Sequence, residues 1–127
     1  YVGGHRHAGQ EGTEKRLRPG DAKYFVVYPF VKTRQWYMLP QEERQRMMTH
    51  HITTGHKYPS VKINTTYSFG LDDQEFVVGF ETDNPSDFVD LVRDLRKSEV
   101  SLYTLRDVPI FTGIRRSVEE TLDSLGG

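Results

Sequence analysis

Stretches rich in β-branched and aromatic residues alternate along this chain with stretches of helical character, and their order leaves few folds open. Residues 22–30, 61–69, 75–81 and part of 101–112 have the composition of strands, and the first is expected to end at Pro29. One helix is predicted from Pro40 to about Thr54, and a second opens at Asn84-Pro85. The order β-α-β-β-α-β predicts an antiparallel sheet that carries both helices on one face.

Two local patterns support this prediction. The turn-forming residues 70–73 separate the second and third strand segments, which indicates a hairpin. The second helix has one apolar face, formed by Phe88, Leu91, Val92 and Leu95. With a short terminal helix predicted at 117–125, the fold class is α+β, with a ferredoxin-like sheet and helices on one face.

The first 21 residues differ in composition from the rest of the chain. They contain Gly3, Gly4, Gly9, Gly12 and Gly20 and almost no large apolar side chain. Such a segment buries too little surface to offset the entropy lost on ordering. It is predicted to be a flexible linker or loop, and residues 22–127 are predicted to form the domain. Because the chain begins with Tyr1 rather than Met, we expect a fragment or a processed chain.

Length, charge and composition exclude several classes of protein. The chain has 127 residues, a formal net charge of -1 and 35% hydrophobic residues, which fits one domain with a core and gives no electrostatic reason to expect nucleic acid. No apolar run is long enough to span a membrane, so a cytoplasmic location is the default expectation. The chain has no cysteine, which excludes thiolate ligation of a metal and a cysteine nucleophile.

The predicted first helix carries the most distinctive candidate ligand, His51. Met47 and His51 are four residues apart and share a helix face, whereas His50 projects elsewhere. A neutral imidazole presented from a helix is the usual protein ligand of a haem iron, and the following strands could wall a flat cofactor. For any single histidine a surface position is the more common interpretation, and from the residues alone it applies to His51 as well as to the other four, His5, His7, His50 and His56.

Several spaced motifs, taken together, resemble one known family. They are the segments 24–30, 36–40, 46–48 with His51, 70–76 and 96–99. In this order they resemble the chlorite dismutase superfamily, and most closely its coproheme decarboxylase branch. The resemblance covers residues 22–113 and does not rest on any single motif.

The resemblance implies an architecture and partners. Subunits of this family belong to the dimeric α/β-barrel superfamily and contain two ferredoxin-like halves, of which the second binds an iron porphyrin, coproheme or haem b. They assemble as rings, commonly pentamers. This chain matches only the second half, so the first half is missing, was cut away, or never existed in a single-domain relative. The expected partners are therefore the N-terminal half and further copies of the chain.

The resemblance also assigns roles to individual residues. His51 is the expected iron ligand, and Glu99 matches the glutamate that accepts a hydrogen bond from the other ring nitrogen of that histidine. Tyr28 matches a tyrosine that lies beside a reactive propionate and is oxidised to the radical that starts decarboxylation. Lys32 and Trp36 match groups that hold propionates. Without the resemblance, each of these residues would be interpreted as ordinary packing or surface.

Ile63 separates the activities known within this family. Chlorite dismutases carry an arginine at this position on the distal side, and some decarboxylases carry glutamine. Isoleucine can neither donate a hydrogen bond nor bear charge, so it argues against chlorite chemistry. The neighbouring Asn64 points to the opposite side of an extended strand. A distal base would come from the other half and has no assignment in this sequence.

The predicted function is that of a coproheme decarboxylase, which uses hydrogen peroxide to convert iron coproporphyrin III to haem b with loss of two propionate carboxylates as carbon dioxide. Two alternatives stay open. One is a chlorite-dismutase-like protein that binds haem without this turnover. The other is an α/β-barrel interaction module or small monooxygenase relative that never binds haem.

Overall fold

The structure is a computed structural model that describes residues 20–126. It contains five strands, four α-helices and one 3₁₀ helix within that range. The strands are β1 Tyr24–Lys32, β2 Val61–Tyr67, β3 Phe76–Thr82, β4 Thr104–Arg106 and β5 Phe111–Ile114. The helices are α1 Arg34–Met38, α2 Gln41–His56, α3 Pro85–Arg96 and α4 Val118–Ser124, with the 3₁₀ helix at Glu99–Tyr103.

All strands of the sheet pair in antiparallel fashion. The order is β2-β3-β1, and the outer edge of β1 is shared by β5 and β4. Helix α2 connects β1 to β2, and α3 connects β3 to the C-terminal strands. The predicted α+β class with an antiparallel sheet is confirmed.

One face of the sheet carries the helices. Register places Val26 beside Phe80, and Phe80 beside Ile63, so these side chains share that face. They pack with Leu91 of α3, which is fully buried. We call this group the sheet cluster; its buried members are Val26, Val61, Phe80 and Leu91, and Tyr28, Tyr58, Ile63, Val78, Phe88 and Leu95 pack against them.

A second apolar group joins α1 and α2 to the 3₁₀ helix. We call it the helix cluster; its buried members are Trp36, Met47 and Val100, and Tyr37, Leu39, Met48 and Tyr103 pack against them. This cluster packs α2 against α1, which follows β1, and against the 3₁₀ helix, which follows α3. The core is therefore divided into two parts.

The other face of the sheet has no helix among the described residues. Phe25 of β1 lies over Gly79 of β3, where its ring approaches within 3.0 Å of the position that a Cβ would occupy. Phe25 is 44% exposed, and Phe111 on the same face is 62% exposed. A groove on this face is lined by Phe25, Val27, Asn64, Thr66, Val77 and Gly79, among others.

The prediction that the first strand ends at Pro29 is wrong. β1 continues to Lys32, and Pro29 pairs with Val77 of β3. On the outer edge of β1, the pairing with β5 reaches Val27 and the pairing with β4 begins at Val31. Pro29 lies between these two paired stretches, where the outer edge of β1 has no partner strand within the described part of the chain. The missing N–H of proline therefore removes no backbone hydrogen bond on that edge.

Two other predictions need correction. A single last strand within 101–112 is replaced by the 3₁₀ helix and the two short strands β4 and β5. Helix α2 passes Gly55 and ends at His56, because a single glycine lowers the stability of a helix without ending it. The five-residue helix α1 was not predicted, since it is too short to show an apolar period.

The predicted terminal helix is confirmed as α4. Ser117 caps it, since its Oγ accepts from the Glu120 N–H at 3.1 Å and the Glu120 side chain accepts from the Ser117 N–H at 2.8 Å. The predicted linker, residues 1–21, lies outside the described residues except for its last two. Within 20–126 no helix combines the length and apolar content needed to cross a membrane.

Candidate functional site

The residues predicted to form the site lie where the sheet cluster meets the helix cluster. Tyr28 and Ile63 pack against the sheet cluster, and Trp36 belongs to the helix cluster. Lys32 lies at the end of β1, and His51 projects from α2 one turn beyond Met47. Five of the six predicted residues therefore lie on the helix-bearing side of the sheet or on the helices that cover it.

His51 is a largely buried imidazole with an unpartnered ring nitrogen. Its Nδ1 atom is inaccessible to solvent and has no hydrogen-bond partner among the described residues. Burial lowers the pKa of His51 to about 4, and the positive charges of Lys32 and His50 contribute to this lowering of the pKa. The ring is therefore neutral at pH 7, which leaves a nitrogen lone pair able to bind a metal.

Lys32 is a partly buried cation held against aromatic rings. Its Nζ lies 4.5 Å from the centre of the Trp36 ring and 5.2 Å from that of Phe30. Both distances allow cation–π attraction. Burial lowers the pKa of Lys32 to about 8, against the opposing effect of Glu75, so the ammonium stays mainly protonated at pH 7. A buried ammonium of this kind favours an anionic ligand group.

Trp36 is placed by a short helix whose first turn is capped. Thr33 Oγ1 accepts from the Trp36 N–H at 3.3 Å, and the Thr33 N–H donates to the Tyr103 carbonyl at 2.8 Å. The Trp36 ring is 6% exposed and tilts against Tyr103 at a centroid distance of 5.7 Å. Its position therefore depends on the 3₁₀ helix as well as on β1.

Tyr28 lies on the helix-bearing face of β1. Its ring stacks on Phe80 with centroids 5.6 Å apart. Burial raises the pKa of Tyr28 to about 12, assisted by Asp107 and opposed by Arg96. Its phenol therefore stays protonated at neutral pH, and it can donate a hydrogen atom or a hydrogen bond.

Ile63 and Asn64 point to opposite faces of β2. Ile63 is paired with Phe80 and packs beneath α2, so the helix-bearing face presents an apolar side chain at this position. Asn64 is paired with Gly79 and lines the groove on the other face. The predicted separation of these two side chains agrees with the observed register.

The side chain of Glu99 forms a hydrogen bond with Arg46 rather than with His51. It begins the 3₁₀ helix, and its carboxylate accepts from Arg46 at 2.7 Å, while Arg46 also contacts Glu43 at 2.9 Å. The expected Glu99–His51 hydrogen bond is not formed, since His51 Nδ1 has no partner within residues 20–126 and an exposed guanidinium takes the carboxylate instead. Exposed ion pairs of this kind are weak, because water screens both charges.

Two further residues that border the site, Glu75 and Tyr37, were not predicted. The Glu75 carboxylate accepts from the Lys32 N–H and from the Tyr37 hydroxyl, each at 2.7 Å. Glu75 belongs to the motif 70–76 that carries the family resemblance, but a carboxylate next to a turn gives no local signal of a distant partner. Their pairing arises only when β3 lies beside β1.

Comparison with known protein sequences identifies related proteins. The chlorite dismutase profile matches residues 1–116. A coproheme decarboxylase of Mycolicibacterium smegmatis is 42% identical over 107 residues, which are 84% of this chain and 46% of that protein. A coproheme decarboxylase of Thermus thermophilus is 37% identical over 105 residues, or 77% of this chain and 42% of that protein. The chain thus spans less than half the length of these curated relatives.

Solved structures share the fold. A heme-binding protein from Thermus thermophilus superposes with a TM-score of 0.81 at 35% identity, covering 89% of this chain and 49% of the other. A chlorite dismutase from Candidatus Nitrospira defluvii in complex with imidazole gives a TM-score of 0.79 at 30% identity, covering 91% and 51%. The matched region is thus about half of each larger protein.

The buried His51 predicts a specific dependence of stability on pH in the porphyrin-free chain. The pKa of His51 is about 4 in the folded chain, whereas an unperturbed histidine, as in the unfolded chain, has a pKa of 6.5. Between these two pH values the unfolded chain therefore binds more protons than the folded chain. Neutral His51 makes its full contribution to the free energy of unfolding above pH 6.5, and this contribution is lost as the pH falls toward 4. The loss is at most about 1.4 kcal/mol per pH unit.

Urea unfolding from pH 7 to pH 4 measures this dependence. His51→Gln is expected to flatten that part of the curve, and the same substitution at the exposed His56, which does not contribute to the lowered pKa of His51, is expected to leave it unchanged. Equal pH slopes for wild type and His51→Gln would contradict the assignment.

Proposed function

Because this chain belongs to the chlorite dismutase family, we propose that it supplies the porphyrin-binding part of a coproheme decarboxylase. The substrate is iron coproporphyrin III, the oxidant is hydrogen peroxide and the product is haem b. The names of the two decarboxylase relatives at 42% and 37% identity support this choice within the family. The heme-binding relative of similar fold supports a porphyrin ligand.

The observation that carries the proposal is the state of His51. A buried, neutral imidazole keeps one ring nitrogen lone pair free of a proton, and this is the form of histidine that would bind a porphyrin iron. His51 lies on α2, whereas Ile63 and Tyr28 lie on the helix-bearing face of the sheet, so a ligand bound by His51 and close to Tyr28 would lie between α2 and the sheet. The bound iron supplies the redox chemistry that peroxide-dependent oxidation requires.

Lys32 and Trp36 would hold the carboxylate edge of the ligand. The Lys32 ammonium complements a propionate, and the indole N–H of Trp36 can donate a second hydrogen bond. Holding the carboxylate in place keeps its side chain within reach of Tyr28. The buried Tyr28 phenol would give up a hydrogen atom to the oxidant and recover one from the propionate side chain.

The overall reaction balances for each propionate. The chain R–CH₂CH₂–COOH loses carbon dioxide, two electrons and two protons, and leaves a vinyl group R–CH=CH₂. One hydrogen peroxide accepts these electrons and protons and becomes two water molecules. Two such events convert two propionates to the two vinyl groups of haem b.

Ile63 favours this reaction over the conversion of chlorite. The side chain that faces the site at this position is apolar and lies in the sheet cluster, so it provides no charge to retain an anionic chlorine species. Two alternatives remain: a porphyrin-binding protein without turnover, and a module that never binds porphyrin. The two experiments that follow distinguish them from the proposed function.

Ligation is tested by replacing the two adjacent histidines. His51→Ala is expected to abolish stable binding of iron coproporphyrin, because no other imidazole is predicted to face the site, whereas His50→Ala on the exposed side of α2 is expected to bind normally. Titration followed at the Soret band measures both affinities. Equal affinities of wild type and His51→Ala would refute ligation by His51, and the absence of a Soret band in the wild type would refute the proposed function.

Turnover is tested by Tyr28→Phe. A phenyl ring keeps the stacking on Phe80 and His51 still binds iron, so binding is expected to persist while decarboxylation falls to zero after peroxide is added. Tyr67→Phe on β2, where the ring contacts Phe69 and Phe76, is the matched control and should retain turnover. Mass spectrometry of the porphyrin provides the measurement. Haem b formed by Tyr28→Phe at nearly the wild-type rate would contradict a radical role.

The helix-free face of the sheet would be covered by the first half of a family subunit. It exposes Phe25 and Phe111 and contains a groove of about 480 Å³. Exposed apolar surface of this kind is typical of an interface. The relatives are about twice the length of this chain, which fits a second half placed here, and the resemblance implies a ring, commonly a pentamer, of such subunits.

Association is therefore expected for the isolated chain. Light scattering at micromolar concentration should give a mass above the 14.7 kDa of one chain, because the apolar face is covered by another polypeptide or another copy. Phe25→Glu places a charge on that face and should shift the mass toward the monomer. A wild-type mass near 14.7 kDa would contradict the expectation.

A further inference from the structure

Beyond the residues of the site itself, we propose that Glu75 and Tyr37 are positioning residues that hold the Lys32 ammonium over the Trp36 ring, where it can receive a carboxylate of the tetrapyrrole. This inference deepens the proposed function and rests on it for the identity of the ligand. The supporting observation is the set of hydrogen bonds that joins Glu75 to the backbone of β1 and to Tyr37.

Glu75 joins three separate parts of the chain. It directly precedes β3, and its own N–H donates to the Phe30 carbonyl of β1 at 3.3 Å. One carboxylate oxygen accepts from the Lys32 N–H at 2.7 Å, and the other accepts from the Tyr37 hydroxyl of α1 at 2.7 Å. The two oxygens therefore connect the end of β1 to α1.

The end of β1 needs such a connection because strand pairing is irregular there. The register between β1 and β4 shifts between Val31 and Lys32, so the sheet alone does not fix the direction of the Lys32 side chain. A charge-assisted hydrogen bond from the Lys32 N–H to Glu75 fixes its backbone. The Lys32 side chain then lies 4.5 Å from the centre of the Trp36 ring.

Helix α1 also needs an external contact. It has five residues, too few to form a stable helix by itself. Thr33 caps its first turn, and the hydroxyl of Tyr37 ties its last turn to Glu75. Burial, together with the hydrogen bond to Glu75, raises the pKa of Tyr37, so the hydroxyl stays protonated as the donor. Trp36 is the residue directly before Tyr37 and is oriented by the same helix.

Glu75 affects Lys32 through its negative charge as well as through the hydrogen bond to the Lys32 N–H. Burial lowers the pKa of Lys32, and Glu75 opposes this effect. The same carboxylate therefore orients the Lys32 backbone and favours the charged form of the Lys32 side chain. Because both carboxylate oxygens already accept hydrogen bonds, Glu75 itself is not expected to contact the ligand.

The experiment compares Glu75→Ala, Glu75→Gln and Tyr37→Phe with Tyr58→Phe as the control. Tyr58 also donates its hydroxyl to a carboxylate, that of Asp94 on α3, so the control removes the same type of bond at another place. Two quantities are measured: affinity for iron coproporphyrin in the Soret titration, and quenching of tryptophan fluorescence by acrylamide in the porphyrin-free chain. Trp36 is the single tryptophan, so the fluorescence reports on this position directly.

The expected loss of affinity is roughly 10- to 100-fold for Glu75→Ala and about 3- to 10-fold for Tyr37→Phe, from the usual strength of such hydrogen bonds. Glu75→Gln keeps an acceptor for the Lys32 N–H but loses the charge, so an intermediate loss is expected. Acrylamide quenching of Trp36 should increase in Glu75→Ala and Tyr37→Phe and stay unchanged in Tyr58→Phe. If Tyr37 had a purely structural role, Tyr37→Phe and Tyr58→Phe would both change thermal stability, and acrylamide quenching of Trp36 would not differ between them.

Wild-type affinity and wild-type quenching in Glu75→Ala and Tyr37→Phe would overturn the proposal. If Glu75→Ala does not fold, Tyr37→Phe alone decides, because its ring can still pack against Phe69. If the wild-type chain binds no porphyrin, the proposed function fails, and acrylamide quenching then decides whether Glu75 and Tyr37 hold Trp36 in place.

Discussion

The pairing of β1 with β3 determines where the side chains of the site lie. β1 pairs with β3 from Tyr24 to Phe30 in an unbroken register, and this register places Val26 and Tyr28 on the face that α3 covers. A slip of one residue would move Tyr28 to the helix-free face, because side chains alternate along a strand. Burial of the sheet cluster opposes that slip, since it would expose Val26 and Phe80 to solvent.

The site combines groups that are costly to bury unless a ligand or a neighbour satisfies them. His51 has a buried nitrogen without a partner among the described residues, and Lys32 is a partly buried cation. The structure reduces these costs in different ways, because His51 is kept neutral whereas Lys32 is held against aromatic rings and near Glu75. A ligand with a Lewis-acidic centre and a carboxylate edge would bind the lone pair of the neutral imidazole and the ammonium of Lys32 at once.

The division of the core into two clusters explains how a site can form inside a small domain. The sheet cluster is completed by α3, and the helix cluster is completed by α1, α2 and the 3₁₀ helix. His51 projects from α2 one turn beyond Met47, so the helix that presents it is anchored by the helix cluster. Glu99 pairs with Arg46 at the surface of the domain, so its carboxylate does not satisfy the His51 nitrogen.

The sequence alone determined the fold class, the hairpin and the two long helices, because periodic apolar patterns are local properties. The resemblance of its motifs to a known family made His51 the candidate ligand. The sequence also placed Ile63 and Asn64 on opposite faces, since alternation along a strand needs no tertiary information. The tertiary structure alone decided that β1 passes through Pro29, that Glu99 pairs with Arg46, and that Glu75 reaches Tyr37. Each of these depends on groups brought together from distant parts of the chain, and competition among such partners leaves no pattern in the residues nearby.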